Sequence, residues 1–339
     1  MLQAKFTGNE TFVLEDAAIP EPGDNQVLLK VELCGICGSD MHTYHGKHPF
    51  VFPPLVMGHE FSGVIVKLGK ATGSKYQVGQ RVAVEPSIVC GTCYNCRKGR
   101  YNICDELSVV GCLTDGAYTE YIAVSAEKII VLNDKLSFED GAMLEPLSVG
   151  VHALDQGRVK QGDKILVIGA GTIGLLLAQA AKAAGAEVAI ADVIPFRLEL
   201  AKELGIPCTV NSKTEALKER LKQFAPDGVD VIFECVGSSH TIRQAIEIAR
   251  KGIRIVILGV VDNEVLLPVS LIQDRELELV GDLMFIRKDF EKSQELIVSG
   301  QVNVKRLQTK TFPLRQVKEA FEFIIHNKES ALKVFLDPK

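Results

Sequence analysis

No stretch of this 339-residue chain is apolar for long enough to cross a membrane as a helix, so a membrane partner is not expected. Its net charge is only -5, with both signs mixed throughout and no basic stripe, which makes nucleic acid and anionic lipid poor partners. The first ten residues, MLQAKFTGNE, lack the charged-then-apolar pattern of a secretory signal. There is no internal repeat and no low-complexity tract. Tryptophan is absent altogether, which by itself decides nothing.

What is present points to a well-packed globular chain. Hydrophobic residues make up 47% of it, enough for a sizeable core and against disorder. Its length suggests two domains, at roughly 150 residues each. The chain holds nine cysteines, and they cluster at metal spacing rather than as a disulfide framework, which favours a reducing cytoplasm.

Four of them, Cys90, Cys93, Cys96 and Cys104, read C-x2-C-x2-C-x7-C. Four thiolates so close together match a closed tetrahedral zinc site that staples a loop and leaves no position for substrate. Upstream, Cys37 and the pair His59-Glu60 offer a mixed and open donor set, with room for water or substrate. A His-Glu pair alone is ordinarily a surface or hydrogen-bonded pair; its occurrence with Cys37 and the four-cysteine loop points to a catalytic metal. Cys34, Cys112, Cys208 and Cys235 read as small core residues.

The texture changes near residue 150. Before it, β-branched runs such as Val27–Val31 and Gly63–Val66 are bounded by Gly and Pro, as in an antiparallel, partly closed barrel. After it, apolar strands alternate with helical stretches near 196–204, 214–224 and 240–250, which implies a parallel sheet covered on both faces. Gly169-Ala170-Gly171-Thr172-Ile173-Gly174 follows the apolar run 164–168 and opens a helix, the context a dinucleotide fingerprint requires. Asp192 ends the next strand, 18 residues past Gly174, where an acid binds a ribose 2′-hydroxyl and repels a 2′-phosphate. NAD is therefore expected over NADP. Arg197 is a candidate to lie over the adenine.

Together, Cys37-Gly38-Ser39-Asp40-Met41-His42, Gly58-His59-Glu60-Phe61, the four-cysteine loop and Leu144-Glu145-Pro146-Leu147-Ser148 resemble the zinc-containing medium-chain dehydrogenases, most closely their polyol branch. The resemblance runs over essentially the whole chain. It implies an α/β architecture: a GroES-like antiparallel β-barrel catalytic domain over 1–149, a doubly wound Rossmann domain over 150–285, and a return segment, 286–339, completing the first. It implies one catalytic zinc on Cys37, His59 and Glu60, with Glu145 as a fourth or water-mediated ligand, and one structural zinc on the four cysteines. Ser39 and His42 would relay the substrate proton, Tyr44 would touch substrate, and Ile173, Asp192, Arg197 and the turn Leu258-Gly259-Val260 would contact NAD.

The implied reaction is reversible oxidation of a secondary alcohol of a polyol, sugar acid or sugar-alcohol phosphate to the ketone. Where sorbitol dehydrogenases carry Phe-Arg-Tyr after a glycine, this chain has Gly281-Asp282-Leu283-Met284-Phe285, so Met284 and Phe285 take the substrate positions and sorbitol itself is in doubt. A threonine-type amino-alcohol dehydrogenase and a catalytically idle cofactor-binding relative are the rival readings. A homodimer or homotetramer is expected.

Overall fold

The strand Gln26–Ile36, 11 residues long, organises the first of two units in this computed structural model, which describes residues 1–261 and 264–339. That unit comprises Met1–Glu145, Ile286–Val298 and Leu307–Lys339. Most of the strand is buried, because Glu60–Leu68, Tyr121–Ser125 and Lys333–Asp337 all pair with it, antiparallel. The sheet continues outward through Arg81–Val84 and Ile129–Val131 on one side and Gln308–Pro313 on the other. Gln308–Pro313 joins parallel to Lys333–Asp337, a departure from a purely antiparallel barrel. Phe6, Phe61, Ile65, Phe321 and Leu336 are among the residues that fill the core.

The second unit, Pro146–Phe285 with Ser299–Arg306, holds a six-stranded parallel sheet. In spatial order its strands are Cys208–Asn211, Glu187–Asp192, Lys164–Ile168, Val231–Glu234, Arg254–Ile257 and Glu278–Gly281. The first strand in sequence thus lies centrally with the order reversing beside it, the doubly wound arrangement. Successive residues Ile165, Leu166 and Val167 are all fully buried, so both faces of this strand are covered. Helices Pro195–Glu203, Leu217–Phe224 and Ser239–Ile248 occupy the three stretches expected to be helical. Pro195 starts the first, where its missing N–H costs nothing. The short stretch Ser299–Arg306 belongs to this unit, against the expectation that all of 286–339 would complete the first; there Asn303 donates its backbone N–H to Gln179 at 2.8 Å. Among the described residues, no helix is long and apolar enough to cross a membrane.

Candidate metal centres and cofactor site

The open donor set is assembled where two paired strands meet a helix. Gly35 lies opposite Glu60 in the sheet register, so the end of Gln26–Ile36 brings Cys37 beside the start of Glu60–Leu68. Cys37 caps the helix Gly38–Tyr44, and its N–H is held by Asp40 Oδ2 at 2.8 Å. Tyr118 donates to the same oxygen at 3.0 Å. Gly58, with φ +100°, is required twice over: a Cβ there would meet the Tyr118 ring at 2.5 Å and Cys34 Sγ at 2.8 Å. The result is that donor atoms of Cys37, His59 and Glu60 lie within 4.8 Å of one another.

These residues suit a divalent cation. Glu60 is fully buried, yet its Oε1 has no hydrogen-bond partner, while Oε2 is held by Lys333. A buried acceptor left unpaired is costly unless something else satisfies it. Desolvation pushes the Cys37 thiol up, reinforced by Glu60 and opposed by His59, so a thiolate there calls for a nearby cation. Burial acts to lower His59, but Cys112, Asp40 and Cys37 outweigh it and hold the imidazole well above its ordinary value. His59 Nδ1 sits 3.7 Å from Asp40 and 3.6 Å from the Cys112 sulfur. Glu145 is buried and feels the charges of His59 and Glu60; desolvation pushes its carboxyl up to about 7. It stands outside the cluster of three donors that share a common radius. Ser39 and His42, both half-buried, are three residues apart on the helix beginning at Cys37 and so share a face.

The four-cysteine loop behaves differently. Cys90, Cys93, Cys96 and Cys104 again fall within 4.8 Å of one another, on a lobe of short helical turns. Backbone N–H groups already point at its sulfurs, from Cys93 to Cys90 and from Cys90 to Cys104 at 3.3 Å. The N–H groups of Thr92 and Cys93 lower the Cys90 thiol to about 6, favouring the thiolate a metal needs. None of the nine cysteines is in a disulfide.

In the second unit Gly169 turns at φ +100°, where a Cβ would strike Val236 at 2.7 Å. Gly171 caps the helix Thr172–Ala183 with open space where its Cβ would be, so a ligand can reach the N–H groups at that helix start. Thr172 and Ile173 form its first turn. Gly174 lies against the carbonyl of Gly169, allowing helix and strand to close up. The Asp192 carboxylate accepts N–H bonds from Ala170 at 2.7 Å, Val193 at 2.7 Å and Ile194 at 2.9 Å, and pairs with Arg197 at 3.7 Å. It braces the glycine turn as well as ending its strand. Leu258 and Gly259 donate to the carbonyl of Glu234, and Val260 is exposed beside them.

Two family models match the chain. Residues 23–134 match the alcohol dehydrogenase GroES-like domain, and residues 172–299 match the zinc-binding dehydrogenase domain. The sorbitol dehydrogenase of Bacillus subtilis is 35% identical over 96% of this chain and 94% of its own length. The chain belongs to the zinc-containing medium-chain alcohol and polyol dehydrogenases. This dehydrogenase is also 33% identical to the D-arabitol-phosphate dehydrogenase of Enterococcus avium, over 98% of this chain and 96% of that one. A solved alcohol dehydrogenase from Escherichia coli CFT073, complexed with cofactor NADH, superposes with a TM-score of 0.92 at 31% identity, covering 99% of each chain.

Two residues expected to touch substrate are buried. Tyr44 is 2% exposed and packs its ring 4.9 Å from Phe321 and 5.9 Å from Phe12, because it ends its helix on the side facing the core. Phe285 is fully buried as well. Both side chains lie in the interior of the protein as described. Met284 is half-buried with φ +54°, a conformation unusual for a side chain of its size. Arg287, beyond it, holds Glu291 and the Glu127 carbonyl with its guanidinium and donates its backbone N–H to the Tyr101 hydroxyl. Cys112, expected in the core, is half-buried with its sulfur beside His59. Three residues around the metal cluster were not foreseen: Asp40, Tyr118 and Lys333. Asp40 was discoverable, since an acid three residues after Cys37 at a helix start signals a capping box. Tyr118 and Lys333 carry no local signal.

Proposed function

We propose that the protein is a zinc-dependent, NAD-linked dehydrogenase that reversibly oxidises a secondary alcohol of a polyol, sugar acid or sugar-alcohol phosphate to the ketone. The observation that carries this reading is the Cys37/His59/Glu60 cluster, in which His59 and Glu60 are buried and one oxygen of Glu60 has no hydrogen-bond partner. When bound, zinc supplies Lewis acidity toward an alcohol oxygen, and the nicotinamide supplies the two-electron acceptor.

The chain's own residues do the rest. Cys37, His59 and Glu60 hold the catalytic metal, with Asp40 and Tyr118 fixing the Cys37 backbone. Glu145, buried and easily protonated, is the candidate for exchange with water or substrate at the metal. Ser39 accepts the substrate hydroxyl proton and His42, on the same helix face, carries it toward solvent. Cys90, Cys93, Cys96 and Cys104 hold a second, structural zinc. Gly169, Gly171, Thr172, Ile173 and Gly174 present the pyrophosphate site, Asp192 takes the ribose hydroxyls, and Arg197 with Leu258, Gly259 and Val260 borders the cofactor. The carboxylate of Asp192 supports NAD over NADP. Exposed Leu266, Val269 and Leu283 on the second unit support a homo-oligomer, and the four-thiol site supports a reducing, cytoplasmic setting.

The test is NAD reduction by the zinc-loaded protein across polyols, aldonates, sugar phosphates and threonine. Turnover confined to polyols or their acid or phosphate derivatives is expected. Turnover of threonine alone would replace this reading with the amino-alcohol one, and NAD binding without turnover of any of them would mark an idle relative.

A further inference from the structure

Lys333 is the one lysine whose ammonium lies in the interior among the described residues, at 2% exposure. It opens the last strand, Lys333–Asp337, whose next residue Val334 pairs with Ile36. Its Nζ donates to the carbonyl of Ile36 at 3.1 Å and to Glu60 Oε2. Ile36 immediately precedes Cys37, and Glu60 immediately follows His59. One buried ammonium thus ties together the two backbone segments that carry all three metal donors. Gly35 makes room for it: a Cβ there would collide with Glu60 Oε2 and come within 3.3 Å of Lys333 Cδ.

A buried ion pair is weak evidence of stabilisation, since desolvating both charges offsets most of their attraction. A pair serving stability alone would be expected to satisfy the carboxylate completely. This one engages Oε2 and leaves Oε1 buried without a partner. We propose that Lys333 is a positioning residue of the catalytic metal centre, holding Glu60 by Oε2 so that Oε1 is left for the metal, and locking that carboxylate to the Ile36 carbonyl just before Cys37. The proposal rests on the reading of Cys37, His59 and Glu60 as metal ligands.

With Lys333 in place, Glu60 is a one-oxygen ligand of fixed direction. Without it, the carboxylate is free to bind through both oxygens or to swing away, and the ligand geometry changes. Partners of this kind, one shell out from the metal, typically alter affinity by about 10- to 100-fold.

The experiment compares wild type, Lys333→Met and Lys333→Arg after cobalt is exchanged into the Cys37 site. It reads the visible cobalt spectrum, metal retention against a chelator, and melting temperature, with the four-cysteine site as the internal reference in each chain. In Lys333→Met the cobalt bands should shift and the metal should leave about 10- to 100-fold more readily, with the four-cysteine metal retained. Lys333→Arg keeps the charge and so protects the fold, but its planar fork cannot reproduce the same single contact; its bands should shift at near-normal melting. That variant decides the matter if Lys333→Met does not fold. Unchanged bands and retention in the folded variants overturn the proposal. A wild-type protein that carries metal only on its four cysteines overturns instead the reading beneath it.

Discussion

The two metal-donor clusters are built from opposite materials. The four-cysteine cluster comes from 15 consecutive positions, Cys90–Cys104, on a loop lobe whose own N–H groups surround the sulfurs. The cluster of Cys37, His59 and Glu60 draws on two strands and a helix start, with Lys333 reaching it from 273 positions away. The first offers four like, soft donors and no free position. The second offers unlike donors, a buried unpaired oxygen and a neighbouring acid that titrates near neutrality. Closure suits a staple, and imbalance suits chemistry. A local loop can make the former by itself, whereas the latter needs the whole sheet to hold incompatible groups together.

That contrast is broken most directly at Cys37. Cys37→Ser should abolish turnover and lose one metal per chain while leaving the four-cysteine metal in place, as metal analysis with site-resolved cobalt spectra would report. If a full second metal remains, the catalytic centre lies elsewhere.

The contrast is sharpened within the open site by Ser39→Ala, which touches no metal donor. It should keep both metals and NAD binding yet lose about 100- to 10,000-fold in turnover at neutral pH, recovering in part as pH rises. Steady-state rates across pH check this; normal turnover at neutral pH removes Ser39 from the proton path.

A smaller effect is expected at Asp192, the carboxylate that both ends a strand and braces the glycine turn. Removing a hydrogen-bonded charge costs roughly 1.5–3 kcal/mol. Asp192→Ala should therefore weaken NAD by about tenfold or more and narrow the gap to NADP, read by fluorescence titration with each cofactor. A constant NAD/NADP ratio would remove Asp192 from cofactor choice.

The least effect on chemistry is expected at the closed site. Cys93→Ser should lower the melting temperature and release its own metal first, with the turnover of the remaining folded protein close to normal. Loss of turnover at unchanged melting would erase the division between staple and catalyst.

How far each region could be read in advance follows the same division. The cysteine spacing and the glycine fingerprint with Asp192 were legible because backbone geometry over a few residues decides them. Cys37, His59 and Glu60 were legible as donors by type, but not as a group within 4.8 Å, which the register of Gly35 opposite Glu60 produces. The burial of Tyr44 is not legible in sequence, because closeness to Cys37 says nothing about which way a helix end faces. Phe321, far along the chain, supplies the aromatic surface that turns it inward. The stretch Ser299–Arg306 was assigned with its neighbours in sequence, whereas the amide of Gln179 holds Asn303 in the other unit.

The sequence by itself determined the family, the alternation of strand and helix in the second unit, the clustering of the four cysteines and the glycine turn before the helix, since each depends on residue type and short-range spacing. Only the tertiary structure decided which oxygen of Glu60 is free, that Asp40 and Tyr118 fix the Cys37 backbone, and that a lysine from the final strand is the counter-charge of Glu60. Those depend on burial and on pairings between distant strands, where moving a side chain by one register position would place it on the opposite face of the sheet.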